Sequence, residues 1–197
     1  MDELRIGDSI LVFDYETGAV RFSSVAFFST AISNSSIGDD DNEVMYVRAQ
    51  GWATPLALSH QHLVLVSRSP LDRPEFVEAQ HIAAGEHWAW MYLGGALEPV
   101  RVEATWTARA ATGWYNPKTG TGTVVVNGFA ASCYTENHAL REVLYAPYNV
   151  WLNAFPYEKG AKPQEGIHWY ARKPASAGKA LHKAVAGAIC AAAGMWS

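Results

Sequence analysis

Over its first two thirds the chain alternates short apolar runs with polar breaks, the period of half-buried strands. The pattern predicts strands over Ser9 to Phe13, Val20 to Phe28, Val44 to Ala49, His62 to Ser67, Val100 to Thr107 and Gly122 to Asn127, all rich in β-branched or aromatic residues. Turn chemistry separates them: Glu16-Thr17-Gly18 offers a glycine for positive φ, and Asn116-Pro117-Lys118-Thr119-Gly120 reads as a Pro-fixed bend ending in glycine. The segment Asn34 to Glu43, with Asp39, Asp40 and Asp41 in a row, repels itself and reads as a solvated loop. It lacks the spaced oxygen ligands of a calcium loop.

The pattern changes near Ser132. Alternation is lost over Ala130 to Leu144, which predicts entry into a helix, and Pro147 and Pro156 interrupt the aromatic stretch beyond it. Near the end, Leu181, Val185, Ala188, Ala192 and Met195 recur at three- and four-residue spacing, predicting an alanine-rich helix over Ala180 to Met195 packed on the rest of the chain. The expected division is a core over residues 1–135 and a second segment over 136–197. No internal repeat is evident.

Composition narrows the function classes. The 197 residues carry 15 basic and 19 acidic side chains, a net charge of -4, which argues against a phosphate-tracking nucleic-acid surface. With 49% hydrophobic residues the chain can bury a core, while no run of 18 apolar residues offers a transmembrane span. Two cysteines, Cys133 and Cys190, do not make a disulfide framework. The opening Met1-Asp2-Glu3-Leu4-Arg5 has no basic-then-apolar leader and runs directly into a turn and a strand, so the expectation is that something upstream is missing.

The chemistry centres on Ser59-His60-Gln61-His62, a hydroxyl three residues before a histidine that leads into an apolar strand. Two histidines two apart could ligate zinc, but no Cys or acidic partners stand at ligand spacing. A hydroxyl and an imidazole converging on one peptide bond could instead polarise its carbonyl and protonate its nitrogen. Alone, the pair reads rather as a hydrogen-bonded histidine at a strand edge. No Gly-x-Ser-x-Gly elbow is present, and Ser59 with His62 on one segment is not a hydrolase triad. His81 and His87, flanking an Ala-Ala-Gly turn, read as surface groups, and the eight tryptophans as core anchors.

Four blocks in order sharpen this reading: Leu4-x-Ile6-Gly7-Asp8-x-Ile10-Leu11; Gly18 before a strand; Leu58-Ser59-x-x-His62-Leu63-Val64; and Gly122-Thr123-Val124-Val125-Val126-Asn127-Gly128 running to Ala131-Ser132-Cys133-Tyr134. Together they resemble the Hedgehog/intein (Hint) autoprocessing domain. Asn137-His138-Ala139-Leu140 with Ala146-Pro147, and later Gly166-Ile167-His168-Trp169-Tyr170, resemble the sterol-recognition segment after that core in Hedgehog carboxy-terminal proteins. An intein is disfavoured, because Asn127 follows Val126 rather than His, precedes Gly128 rather than Cys, Ser or Thr, and lies well before the end of the chain.

The resemblance implies a mainly β, compact, pseudo-twofold Hint fold with a C-terminal helical segment. It also implies cysteine-initiated autoproteolysis: an N-to-S acyl shift at the upstream peptide bond gives a thioester, and transfer to a sterol or to water completes the reaction. The family's Thr-x-x-His pair falls on Ser59 and His62, with His62 as proton donor to the amide nitrogen. Cys133 matches a cysteine near the active centre, suited to thioester exchange or a redox-sensitive pair with the nucleophile, though a buried free thiol is an equal reading. Counting from Val25-Ala26-Phe27-Phe28, the position of an aspartate proposed as base for the sterol falls on Thr30, which is no base near neutral pH. The family's opening Cys-Phe segment is not among these residues, so its nucleophile is expected either upstream of Met1 or lost. In the latter case the chain is a non-catalytic Hint fold that binds a partner or associates with lipid. The implied partners are the upstream polypeptide in cis and a sterol or lipid co-substrate, without cofactor or metal, and the implied route is the secretory pathway. His168 and Trp169 would then line a lipid-facing groove.

Overall fold

A computed structural model describes residues 3–32, 43–110, 113–135 and 166–167. Thirteen strands account for most of them. In chain order they are β1 (Ser9–Phe13), β2 (Val20–Ser24), β3 (Phe27–Ile32), β4 (Glu43–Ala49), β5 (Leu56–Leu58), β6 (Leu63–Ser67), β7 (Glu75–Glu78), β8 (Trp88–Leu93), β9 (Ala96–Arg109), β10 (Trp114–Lys118), β11 (Thr123–Val126), β12 (Phe129–Ser132) and β13 (Gly166–Ile167). The mainly β expectation holds. The helix expected over Ala180 to Met195, the acidic loop after Asn34, Cys190, His168 and Trp169 lie outside the described residues.

The strands form three sheets. One is the β1–β2 hairpin, a second has the order β10-β3-β13, and the third runs β11-β12-β6-β8-β9-β4-β5 with β7 added on β6. The expected strand Val20 to Phe28 divides in two, because Val25 and Ala26 turn their backbones elsewhere. Val25 N–H donates to the Asp8 carbonyl (2.9 Å), and Ala26 N–H to the Lys118 carbonyl (2.8 Å). β9 is far longer than Val100 to Thr107. Its first half pairs with β8 and its second with β4, so that Arg101 faces Trp88 while Val102 faces Ala49.

Two expectations are overturned. Ala130 to Ser132 do not enter a helix; with Phe129 they form β12, which is buried along its whole length. A strand covered on both faces has no polar side to alternate with, and its small residues imitate a helix former. Likewise Asn116, Pro117 and Lys118 are not a turn but the end of β10, which accommodates the proline at a bulge between Asn116 and Pro117. The tight turn lies at Asn127-Gly128, where φ values of 50° and 86° match the two-residue hairpin that this dipeptide favours. Trp52 Nε1 donates to the Asn127 carbonyl (2.8 Å) and Asn127 Nδ2 to the Pro55 carbonyl (3.0 Å), so the turn is also held from outside.

The main core lies between β4, β5, β6, β8, β9 and β12, around Val47, Val64, Val66, Met91, Val102 and Phe129. A smaller cluster of Val124, Ala131 and Cys133 packs with Ile10. Between β1 and β11 the tie is polar: the fully buried Thr123 accepts from the Phe13 N–H (3.2 Å) and donates to the Phe13 carbonyl. One hydroxyl thus satisfies both backbone groups of a buried residue. Thr123→Val keeps the shape and orphans both groups, and should cost about 1–3 kcal/mol per unsatisfied group, lowering the urea midpoint without changing the slope.

Candidate functional site

The site begins at a turn. β5 ends at Leu58 and β6 starts at Leu63, and the His62 N–H closes the intervening turn on the Ser59 carbonyl (3.0 Å). Ser59 and His62 therefore stand at the two ends of one turn. Its outer side is tied to the following loop: Ala79 N–H donates to the His62 carbonyl and Gln80 N–H to the His60 carbonyl, each at 2.9 Å. These bonds leave the backbone at His62 little freedom, so its side chain starts from a fixed position.

The ring of His62 is aimed at the end of β12. Its Nε2 lies 2.9 Å from the Ser132 carbonyl oxygen. A carbonyl only accepts, so Nε2 carries the hydrogen and Nδ1 is left with the lone pair. Although part of the residue's surface stays accessible, its dense protein surroundings disfavour a charged ring. Burial pushes His62 down to about 4, the Ser132 carbonyl partly opposes this, and the positive charge of Lys118 adds to it. At neutral pH the ring is therefore neutral, with a basic nitrogen at a known position.

Cys133 follows Ser132 directly and is 1% exposed. Its N–H donates to the Gly122 carbonyl (2.8 Å), and its Sγ lies 3.7 Å from the Thr119 hydroxyl. Burial pushes its thiol up, while Lys118 and the contacts with Thr119 pull it back. It is a protonated, packed thiol in the apolar cluster with Val124 and Ala131. The structure thus brings His62 to the end of β12 beside Cys133, with Ser59 at the other end of the His62 turn. Thr30 belongs to another sheet, opposite Asn116 on one side and Ile167 on the other, and among the described residues no hydrogen bond joins it to His62, Ser59 or Cys133. That pairing sets β13, the start of Gly166-Ile167-His168-Trp169-Tyr170, alongside Thr30.

Three residues at the site escaped the sequence reading. Lys118 was read only as part of the bend from Asn116 to Gly120, yet it is 4% exposed, with Nζ 4.1 Å from the centre of the Tyr134 ring. Tyr134 is itself buried against Gly122, where a Cβ would come within 2.8 Å of the ring. Thr119 was read as part of the same bend, but its hydroxyl donates to the Thr123 carbonyl (2.8 Å). Only a hydroxyl residue opening an apolar run, as in Thr123-Val124-Val125-Val126, hinted that polar groups would be buried there. His87, expected at the surface, is buried instead: its Nδ1 accepts from the Ala83 N–H (3.0 Å), closing the turn from within.

The depressed His62 predicts acid lability. An unfolded histidine takes up a proton near 6.5, the folded one only near 4, so the stabilisation is complete above about 6.5 and falls away as pH drops towards 4. The loss between pH 7 and pH 4 should be on the order of 3 kcal/mol for this group. Denaturant titrations of the wild type and His62→Gln at both pH values measure it, and the variant should lose less stability on acidification.

Comparison with known proteins agrees with this architecture. The Hint module family matches residues 1–183. The chain is 29% identical to the Sonic hedgehog protein of Danio rerio over 185 residues, covering 86% of this chain and 42% of that protein. It is 30% identical to the Protein hedgehog of Drosophila ananassae over 189 residues, covering 87% and 38%. It thus spans about two fifths of the length of these curated relatives. Among solved structures it resembles the KlbA intein precursor from Methanococcus jannaschii, with a TM-score of 0.50, 14% identity and 63% of each chain covered, a likeness of fold. With the His62 ring bonded at the end of β12 next to Cys133 and the family match running through nearly all of the sequence, this chain belongs to the Hint module family.

Proposed function

We propose that the chain performs single-turnover autoprocessing at a peptide bond on its N-terminal side, the reaction of cysteine-initiated Hint domains. The observation that carries this reading is the 2.9 Å bond from His62 Nε2–H to the Ser132 carbonyl. It commits one ring nitrogen to structure and leaves Nδ1 for chemistry. In the first step the thiol of the module's opening cysteine gives its proton to Nδ1, and its sulfur attacks the carbonyl of the preceding residue. The carbon–nitrogen bond then breaks as Nδ1–H returns the proton to the departing nitrogen, leaving a thioester. An imidazolium whose proton is held weakly is a good donor to a nitrogen leaving an amide, so the buried, depressed His62 suits the second half of this cycle. Ser59, at the opposite end of the turn, supplies the hydroxyl that polarises the scissile carbonyl.

The acceptor decides the product. A sterol hydroxyl attacking the thioester releases the upstream segment as an ester, and water releases it as an acid; the thiol is regenerated in both cases. Thr30 cannot deprotonate a hydroxyl near neutral pH, and this favours water. The strand pairing of Ile167 with Thr30 supports the second segment, residues 136–197, as the part that receives the lipid, with the sterol as co-substrate rather than cofactor. Cys133 is held in reserve for exchange with the thioester, its burial keeping it a thiol. The same reading takes the upstream polypeptide as the partner in cis and the secretory pathway as the route.

The test is a fusion in which a reporter and a Cys-Phe leader of the family precede this sequence, with dithiothreitol as nucleophile and release followed on a gel. Release is expected, and His62→Ala should slow it by about 10²–10⁴-fold, the scale of general acid–base catalysis. A folded fusion that releases nothing would overturn the reading. In the same fusion, supplied with cholesterol, Thr30→Asp should raise the esterified product roughly tenfold or more, with dithiothreitol cleavage unchanged. Equal ester from both proteins would remove position 30 from acceptor choice.

A further inference from the structure

Two hydrogen bonds at the end of β12 belong to one planar unit. The Ser132 carbonyl, bound by His62 Nε2–H at 2.9 Å, and the Cys133 N–H, which donates to the Gly122 carbonyl at 2.8 Å, are the two polar groups of a single peptide. In a trans peptide these groups point in opposite directions and turn together, so whatever holds the N–H also aims the C=O. An N–H that is donated further polarises its own carbonyl and makes it a better acceptor. His62 is thus bound at one end of a rigid plate whose other end rests on Gly122.

Gly122 is shaped for that place. It stands just before β11, one step beyond the Thr123–Ser132 pair, and its N–H donates to the Thr119 carbonyl (3.2 Å) to close a turn. Its φ of +66° is left-handed, a conformation that glycine enters freely and a side chain resists. Space is refused as well: a Cβ would stand 2.8 Å from Tyr134 Cε2 and 3.2 Å from its hydroxyl oxygen. The ring has little room to yield. Tyr134 is 3% exposed, Lys118 Nζ lies 4.1 Å from the ring centre, and the Tyr134 N–H is tied to the Ser132 hydroxyl (2.9 Å).

We propose that Gly122 is a positioning residue of this site: only as a glycine does it hold the Cys133 N–H where the Ser132 carbonyl meets His62 Nε2–H. The inference rests on the autoprocessing reading only for its effect on cleavage. A β-carbon at position 122 meets a ring that is held, so the backbone of the turn shifts, its carbonyl shifts with it, and the Ser132–Cys133 peptide rotates away from His62. The backbone of His62 stays where it is, because the Ser59 carbonyl and the Ala79 N–H fasten it independently. The imidazole alone loses its acceptor, and with it the fixed place of Nδ1, the nitrogen that takes the thiol proton.

The test is solvent exchange of the His62 Nε2–H, followed by NMR in the full chain for the wild type, Gly122→Ala, Gly122→Asn and Gly51→Ala. Asparagine tolerates the left-handed region, so Gly122→Asn adds the β-carbon with the least backbone strain and is a second route to a folded variant, verified by dispersed sheet amides. Gly51, at φ +73° with nothing within 4 Å of a Cβ, is the matched control for strain without contact. The wild-type Nε2–H should be protected, and either Gly122 variant should exchange at least about tenfold faster while the β6 amides keep their rates. Gly51→Ala should match the wild type. A wild-type ring with no protected Nε2–H overturns the proposal, as does a folded Gly122 variant with wild-type exchange. Equal acceleration in Gly51→Ala also overturns it, since general loosening would then be the cause. In the reporter fusion, Gly122→Asn should slow cleavage by about 10–100-fold, the scale of a small misplacement of a reacting group. A wild-type fusion that fails to cleave while the exchange result holds sinks the autoprocessing reading and leaves the hold of Gly122 on His62 standing. A Gly122→Asn fusion that cleaves at the wild-type rate sinks the role of Gly122 in the reaction alone.

Discussion

The site depends on one constraint: β12 is buried along its whole length, so each polar group at its end must find a partner inside the protein. The Ser132 carbonyl takes His62 Nε2–H, the Cys133 N–H takes the Gly122 carbonyl, and the Tyr134 N–H takes the Ser132 hydroxyl. Hydrogen bonding that the fold requires is at the same time what holds the His62 ring in place. Removing any of these partners would leave a buried group unsatisfied, so stability and the position of that ring are coupled here.

The neighbouring threonines extend the same logic. Thr123 closes on both backbone groups of Phe13, and Thr119 donates to the Thr123 carbonyl while touching Cys133. The β1–β2 hairpin is thereby fastened to β11, which pairs with β12 in full register from Thr123–Ser132 to Val126–Phe129. An amino-terminal hairpin, the hydroxyl cluster and the histidine turn therefore meet on one short strand.

The fold class and the central pair were legible because they rest on local rules. Alternating apolar residues with glycine and proline breaks gave β1 and β4 nearly to the residue, and Ser59-x-x-His62 could be singled out as one short segment. The failures have equally physical origins. β12 is buried on both faces and so carries no alternation, and its alanines and serine read as a helix. Lys118 reads as one residue of a bend, since nothing local reveals a tyrosine ring 16 residues ahead of it in the chain. His87 reads as exposed for a similar reason, its burial depending on how the turn at Ala83 closes.

By itself the sequence determined the period of its strands, several of its turns and which residues are chemically able to move a proton, all properties of a few consecutive side chains. The tertiary structure alone decided which of those residues meet. It put His62 against a carbonyl 70 positions away, seated a lysine where water does not reach, and paired Thr30 with Ile167. Tautomer, protonation state and field are set by such long-range contacts, because they depend on what surrounds an atom and not on what precedes it in the chain.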